Sequence, residues 1–342
     1  MTSEPSCHGD PRPQTLLVYT YEDTVGDGLV KLPFLRDLRA RFPGTRITWC
    51  AGVGPTAYSG VLAPLTTGLL DEVMGEAGIG TGTAELFRLS RPLRGRRFDV
   101  VLDTQRAVVR TLCVRRIAHG CFVSGTAGFR FSDRRPPAGT PRPRHLIDTL
   151  AGLLDLIAPR PEAAEALPLA VPDACRETAR AALPDGATYV GLAPGAGDPE
   201  KIWPLAGFIA LAREQLEQGR VPVFFLGPGE RGLLEDIRAA VPGARFPEWE
   251  GPEWEGRGAT GPIFAIALAE RLTAAVANDS GTGHMLAAGG APLVSLFSKH
   301  DPVKYAPRAR RLAIVDSKSF GGTDPARIPV DAVSRALAAL LS

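Results

Sequence analysis

Asp279-Ser280-Gly281-Thr282-Gly283-His284 joins an apolar run, Leu272 to Ala277, to a run of helical character, Met285 to Ala288. A strand that stops at a small-residue turn and restarts as a helix leaves its first amide N–H groups without internal partners. Those groups carry the positive end of the helix dipole, about half an elementary charge, and glycine lets an anion approach the backbone closely. Ser280, Gly281 and Thr282 therefore offer anion binding, although an ordinary turn between strand and helix has a similar composition. A second segment shares these features. Val190 to Gly197 ends in Pro194-Gly195-Ala196-Gly197 and leads through Pro199-Glu200-Lys201-Ile202-Trp203-Pro204 into a helix-like stretch, Leu205 to Leu216. Lys201 places a point charge beside this second Gly-rich turn. A solvated loop lysine is the plainer alternative, and the glycines do not complete a dinucleotide fingerprint.

Glu230 closes the turn Phe225-Leu226-Gly227-Pro228-Gly229. An acid placed after a strand can bind ribose hydroxyls, or can simply be a solvated acid at a helix start. The chain has no Asp-x-Asp pair and no His/Cys cluster with metal-ligand spacing, which disfavours a metal-bridged diphosphate. No cofactor is expected.

Taken in order, these segments resemble the glycosyltransferase family nine heptosyltransferases, which build the inner core of lipopolysaccharide from ADP-heptose. The likeness rests on Pro194-Gly195-Ala196 running to Glu200-Lys201-Ile202-Trp203-Pro204, on Phe225 to Glu230, and on Asn278-Asp279-Ser280-Gly281 with His284. In the N-terminal half, Leu16-Leu17-Val18-Tyr19, Val25-Gly26-Asp27-Gly28, Leu32-Pro33-Phe34-Leu35 and Phe42-Pro43-Gly44 are similar to the family's opening strand, Gly-Asp turn and first helix. The resemblance covers nearly the whole chain and is weakest from Thr81 to Leu167. It implies an α/β protein of the GT-B type, two Rossmann-like domains facing each other across a cleft, with the donor in the C-terminal domain and the acceptor on the N-terminal one.

Glycosyl transfer needs a base for the acceptor hydroxyl and stabilisation of the departing diphosphate. The resemblance gives the base to Asp27, between Gly26 and Gly28, where a carboxylate would project from the sheet's C-terminal edge. A helix N-cap is the structural alternative, and Glu22 and Asp23 are the competing acids. Lys201 and the N–H groups of Ser280, Gly281 and Thr282 would hold the diphosphate as its charge grows. Gly195 and the ribose-binding Glu230 would complete the donor site. His284 would donate to phosphate or brace the turn, and Asp279, itself an anion, would orient the loop or contact the sugar. Gln105, after Val101-Leu102-Asp103-Thr104, falls where the family carries an acceptor-side turn, with Thr104 replacing its apolar residue. A single attack by the acceptor oxygen, with no protein nucleophile, would invert the anomeric centre. The implied partners are a nucleotide-diphosphate sugar, ADP-heptose in this family, and an anionic glycolipid or oligosaccharide acceptor, with no nucleic acid. A nucleotide-sugar epimerase and a non-catalytic nucleotide-sugar binding protein are the competing readings. An oxidoreductase would rest on Gly52-Val53-Gly54 and Gly78-Ile79-Gly80, neither of which is a full fingerprint.

Positioning such residues calls for parallel strands with helices between them. Apolar runs recur at Thr15 to Tyr19, Arg46 to Cys50, Val100 to Leu102, Tyr189 to Leu192, Val221 to Leu226, Ala274 to Ala277 and Leu293 to Phe297. Helical periodicity fills Leu29 to Phe42, Leu205 to Gln218 and Arg231 to Ala240, so a parallel α/β sheet is predicted twice over. The Pro- and Ala-rich stretch from Ala158 to Pro172 separates the two halves. The expected division is an acceptor domain over 1–165, a donor domain over 166–325, and a terminal helix over 326–342 packing back toward the first domain. Pro247-Glu248-Trp249-Glu250-Gly251 is repeated at once as Pro252 to Gly256. It reads as a loop whose tryptophans either stack on a ligand or belong to an acidic surface excursion.

With 342 residues, 44% hydrophobic and 22% charged, the chain has enough apolar content for two ordinary cores. A net charge of +2 makes the whole protein no general polyanion binder. Arginines are nonetheless dense from Arg91, Arg94, Arg96 and Arg97 through Arg106, Arg110, Arg115, Arg116, Arg130, Arg134, Arg135, Arg142 and Arg144. They form either a basic wall for an anionic acceptor or a solvated surface. The five cysteines are scattered and form no Cys-x-x-Cys pair, which suggests a reducing compartment. Met1 to Gln14 lacks an apolar leader core, and no apolar run approaches the roughly 18 residues of a membrane helix. A cytoplasmic protein with at most peripheral contact with the inner membrane is expected.

Overall fold

The computed structural model describes residues 13–160, 169–250 and 261–342. Its contacts divide the chain into two compact units, each built on a five-stranded sheet. The first takes the described residues up to Thr24, then Pro33–Pro143 and the segment from Ile147; the second takes Val25–Leu32, Arg144–Leu146 and Leu169–Ser342. The expected boundary near residue 165 falls outside the described residues.

The first half of the chain runs β1 (Thr15–Thr20), α1 (Val25–Arg41), β2 (Arg46–Ala51), β3 (Glu72–Met74), β4 (Arg97–Asp103), α2 (Val108–Arg115), β5 (Ala118–Ser124) and α3 (Leu146–Asp155), all in the first unit except the opening of α1 through Leu32 and the first residue of α3. Its strands pair in parallel in the order β3-β2-β1-β4-β5. Leu16, Leu17, Val18 and Tyr19 of β1 are fully buried, as a parallel strand covered on both faces must be. Arg39 at the end of α1 ties the helix to the sheet, donating from Nε to the Leu69 carbonyl (3.0 Å), from Nη1 to Thr45 O (2.8 Å), and from Nη2 to Asp71 (2.6 Å).

The second unit runs α4 (Asp173–Ala182), β6 (Tyr189–Ala193), α5 (Leu205–Glu217), β7 (Val221–Phe224), α6 (Leu234–Ala240), α7 (Gly261–Ala269), β8 (Ala274–Asn278), α8 (Gly281–Ala288), β9 (Leu293–Phe297), α9 (Pro302–Tyr305), β10 (Leu312–Asp316) and α10 (Val330–Leu341). The order β10-β9-β8-β6-β7 is again wholly parallel. Pro222 cannot donate to a ladder, and it sits in β7, at the sheet's edge. The terminal helix α10, expected to return toward the first domain, lays Val333, Leu337 and Leu340 into the core of the second unit. Arg311 caps its last carbonyls at Ala339 (2.7 Å) and Leu340 (3.0 Å).

All seven apolar runs become strands, although β7 stops at Phe224. The edge strands β3 and β10, partly exposed along most of their length, and β5, which opens on Ala118, His119 and Gly120, lack the unbroken apolar signature that marks the others. No helix among the described residues is long and apolar enough to cross a membrane.

Candidate active site

Open parallel sheets bind ligands beyond the C-terminal ends of their strands, where the strand order reverses. In the second sheet that point lies between β6 and β8. The segments leaving those two strands are Pro194–Pro204 and Asp279–His284, the pair singled out by sequence.

Asn278, the last residue of β8, locks the two together. Fully buried, its side-chain amide donates to the Pro194 carbonyl (2.7 Å), and its Oδ1 accepts the Trp203 amide (3.2 Å). Trp203 is wedged in the core and donates from its indole to Ile328 O (2.9 Å); a Cβ on Gly207 would meet its ring at 2.5 Å. The turn carrying Lys201 is thus fixed from below. Lys201 Nζ donates to the Asp279 carbonyl (3.2 Å) and lies 3.2 Å from Asp279 Oδ2. Ser280 caps α8, its hydroxyl accepting the Gly283 amide (3.4 Å). Helix geometry leaves the Gly281 and Thr282 amides without internal acceptors, and nothing lies within 4 Å of where a Cβ on Gly281 would project. An ammonium and free helix amides thus occupy one switch point.

Gly195 and Glu230 also meet: a Cβ on Gly195 would run into the Glu230 carboxylate, so glycine is needed for Glu230 to lie over this turn. Glu230 opens the 3-10 turn that follows β7. Glu248 stands close by, and burial, with a smaller contribution from Glu230, pushes its carboxyl up to about 8. Trp249 turns inward, packing against the core and donating to Leu226 O (2.8 Å). It anchors the first Pro-Glu-Trp-Glu copy, whereas Trp254 lies outside the described residues.

His284 keeps some accessible surface, yet protein surrounds its ring closely enough that burial pushes its pKa down from 6.5 to about 4. Asp279 opposes this drop, while His145 and Lys201 add to it. A neutral imidazole acts at this site as a hydrogen-bonding group without charge. As the pH falls through 6.5 the unfolded chain takes up a proton that the folded protein refuses until about 4. The stability linked to neutral His284 is therefore complete above 6.5 and lost across that window. Thermal melts of His284→Gln are expected to fall less steeply than the parent's between pH 6.5 and 4.5; equal slopes would exonerate His284.

In the first sheet the order reverses between β1 and β4. Thr104 bridges their ends, its amide (3.1 Å) and hydroxyl (2.9 Å) both donating to Tyr19 O. Gln105 follows, its amide donating to Asp103 Oδ1 (2.9 Å) while Asp103 Oδ2 accepts from Thr111 (2.6 Å) and Ser124 (2.9 Å). Burial pushes the Asp103 carboxyl up. That network shapes the turn, and among the described residues the Gln105 side chain makes a 3.4 Å contact with Thr104. Asp27 is exposed in the first turn of α1, at its third residue rather than at the N-cap. Gly26 and Gly28 flank it there, so the helix starts four residues before the predicted Leu29. Of its competitors, Asp23 is buried and accepts the Trp49 indole N–H (2.5 Å) and the Thr56 hydroxyl (3.3 Å), which marks it as structural. Glu22 is exposed.

Two residues on the second sheet escaped the sequence reading. Lys299 pairs with Asp198 (3.4 Å) and Glu200 (2.5 Å), and His300 Nδ1 lies 2.7 Å from Asp279 Oδ2. They are the second and third residues after β9, just beyond the place that Asp279 holds as the first residue after β8; that placement at a neighbouring strand end was the available signal. Among the described residues, no three His, Cys, Asp or Glu side chains gather as a metal site.

The sequence profile of glycosyltransferase family 9 (heptosyltransferase) matches residues 86–324. The lipopolysaccharide core heptosyltransferase OpsX of Haemophilus influenzae is 22% identical over 291 residues, 83% of this chain and 79% of the relative. A glycosyl transferase family 9 structure from Veillonella parvula superposes with a TM-score of 0.73 at 19% identity, covering 96% of this chain and 97% of that one. The E. coli heptosyltransferase WaaC with ADP-2-deoxy-2-fluoro heptose gives 0.64 at 17% identity, covering 94% and 98%. These structural likenesses show the GT-B fold of two Rossmann-like domains. The profile shows more, since it spans most of the chain and both switch-point segments of the second sheet: this protein belongs to glycosyltransferase family 9 and is a glycosyltransferase.

Proposed function

We propose that the protein transfers a heptose from ADP-heptose, with inversion, to an anionic glycolipid of the lipopolysaccharide core. The observation that carries this is the meeting of Lys201, Asp279 and the free amides of α8 at one switch point, where a departing diphosphate needs positive charge. The WaaC complex bears an ADP-heptose analogue and OpsX is a core heptosyltransferase, and both support the donor and acceptor classes. Glu230 then holds the ribose, Asp279 faces the sugar, and His284 donates to phosphate as a neutral group. Asp27 takes the acceptor hydroxyl proton as its oxygen attacks the anomeric carbon and ADP leaves. Gln105 orients the acceptor. An epimerase or a non-catalytic binding protein is disfavoured by family membership.

The arginine-rich stretch sorts into two groups. Arg96 pairs with Glu72 (2.7 Å), Arg115 with Asp133 (2.6 Å) and Arg144 with Asp301 (2.8 Å), and Arg116 holds the backbone carbonyls of Glu85, Arg88 and Ser90. Arg88, Arg91, Arg94 and Arg97 are exposed beside Phe87 and Leu89, which are 84% and 104% exposed. This basic and apolar tip fits peripheral contact with the membrane leaflet that displays such an acceptor.

Incubation with ADP-heptose and inner-core acceptor in vesicles is expected to yield ADP and a product inverted at the anomeric carbon. Release of ADP without a glycosylated product, or retained configuration, would refute the proposal. In the same assay, replacing Arg91, Arg94 and Arg97 by Glu is expected to raise the acceptor KM and to flatten the salt dependence. Equal salt sensitivity would leave those arginines as solvated surface.

A further inference from the structure

Asp279 is a buried carboxylate with two basic neighbours at one oxygen. Lys201 Nζ lies 3.2 Å from Oδ2 and His300 Nδ1 lies 2.7 Å from it, yet neither approach has hydrogen-bond geometry, so the oxygen has no directed bond among the described residues. Lys201 compensates the carboxylate. A donor diphosphate arriving between the β6 and β8 turns competes for that same ammonium. A buried charge stripped of its partner is strongly unfavourable, so moving Lys201 toward phosphate would cost much of what the new contact provides.

We propose that His300 takes over Asp279 when Lys201 turns to the diphosphate, a positioning residue that releases the lysine to the substrate. This rests on the donor reading above.

The surroundings favour His300 for that part. Its carbonyl accepts Lys318 Nζ (2.9 Å), which fixes the backbone, while its ring lies 5.2 Å from that of Tyr305 and its side chain stays 38% exposed. A small rotation of the ring would align Nδ1–H with Oδ2. The other charged groups nearby are committed elsewhere. Lys299 is held by Asp198 and Glu200, Arg144 pairs with Asp301, and Lys304 lies over the Tyr305 ring at 4.7 Å. Of the nearby histidines, His284 is held neutral by burial and His145 Nε2 lies 3.0 Å from the Ala306 carbonyl.

Calorimetric titration of the full chain with ADP tests the hand-over as a double-mutant cycle. His300→Ala is expected to weaken ADP binding about tenfold, within the coupling typical of groups in one ion network, with His300→Gln in between. In an Asp279→Asn background no buried charge needs a partner, and the same His300→Ala change should alter Kd by less than about twofold. An equal loss in both backgrounds would mean that His300 touches the ligand or merely supports the fold, and would overturn the proposal. So would an unchanged Kd in His300→Ala while Lys201→Ala weakens binding, an outcome that leaves the donor reading intact. If ADP, UDP and GDP all fail to bind the parent protein, the donor reading falls and the hand-over with it.

Discussion

Asp27→Asn is expected to lower turnover by about 10²–10⁴ while ADP affinity stays nearly unchanged, the signature of a lost general base. The amide is isosteric with the carboxylate and keeps its place in the first turn of α1, but it cannot accept the acceptor's proton. The side chain is exposed, so the exchange places no new polar group in the interior. Asp23→Asn provides the contrast. That carboxylate takes the Trp49 and Thr56 donors inside the first unit, and the exchange should lower the melting temperature while sparing turnover per folded molecule. Single-turnover transfer and calorimetric titration with ADP, run on both variants, separate the two roles. An Asp27→Asn enzyme within about fivefold of the parent would take proton abstraction away from Asp27.

Lys201→Ala is expected to weaken ADP binding by about 10- to 100-fold, since a hydrogen bond to a charged group is worth roughly 1.5–3 kcal/mol. Transfer should slow further, because the ammonium matters most as charge builds on the leaving diphosphate. The free amides of α8 are no substitute: a helix terminus contributes about 0.3–1 kcal/mol, or about 2 when partly buried. Removing the lysine also leaves Asp279 with His300 as its one basic neighbour within ion-pair distance among the described residues. Titration curves that superpose on the parent's would exclude Lys201 from the donor site.

Much of the architecture was legible because parallel strands buried on both faces are mostly apolar, as β1, β6, β8 and β9 are. The strands that escaped were edges or opened on small and polar residues. The residues proposed for the donor side were singled out for a related reason: a Gly-rich turn and a lysine leave a local imprint in the sequence. What distance along the chain concealed was their coupling. Asn278 reads as an ordinary strand end until its amide is seen spanning from Pro194 to Trp203, and His300 reads as a loop histidine until β9 brings it against Asp279. Asp23 and Asp27, four positions apart, could not be separated by sequence alone, because burial against Trp49 depends on the packing of β2 beside β1. The basic wall likewise looked uniform in the sequence, and only the folded chain distinguishes the arginines that hold backbone carbonyls from those left in water.

The Asn278 amide bears on how this scaffold tolerates redesign. Because one side chain fastens both strand termini, the lysine-bearing turn and the start of α8 behave as a single mechanical part. Exchanging either segment alone for that of a relative with another nucleotide preference would strand an amide or a carbonyl in the interior. Altered nucleotide choice should therefore come from transplanting the two termini together, or from side chains outside their joint, such as those around Glu230 and Glu248.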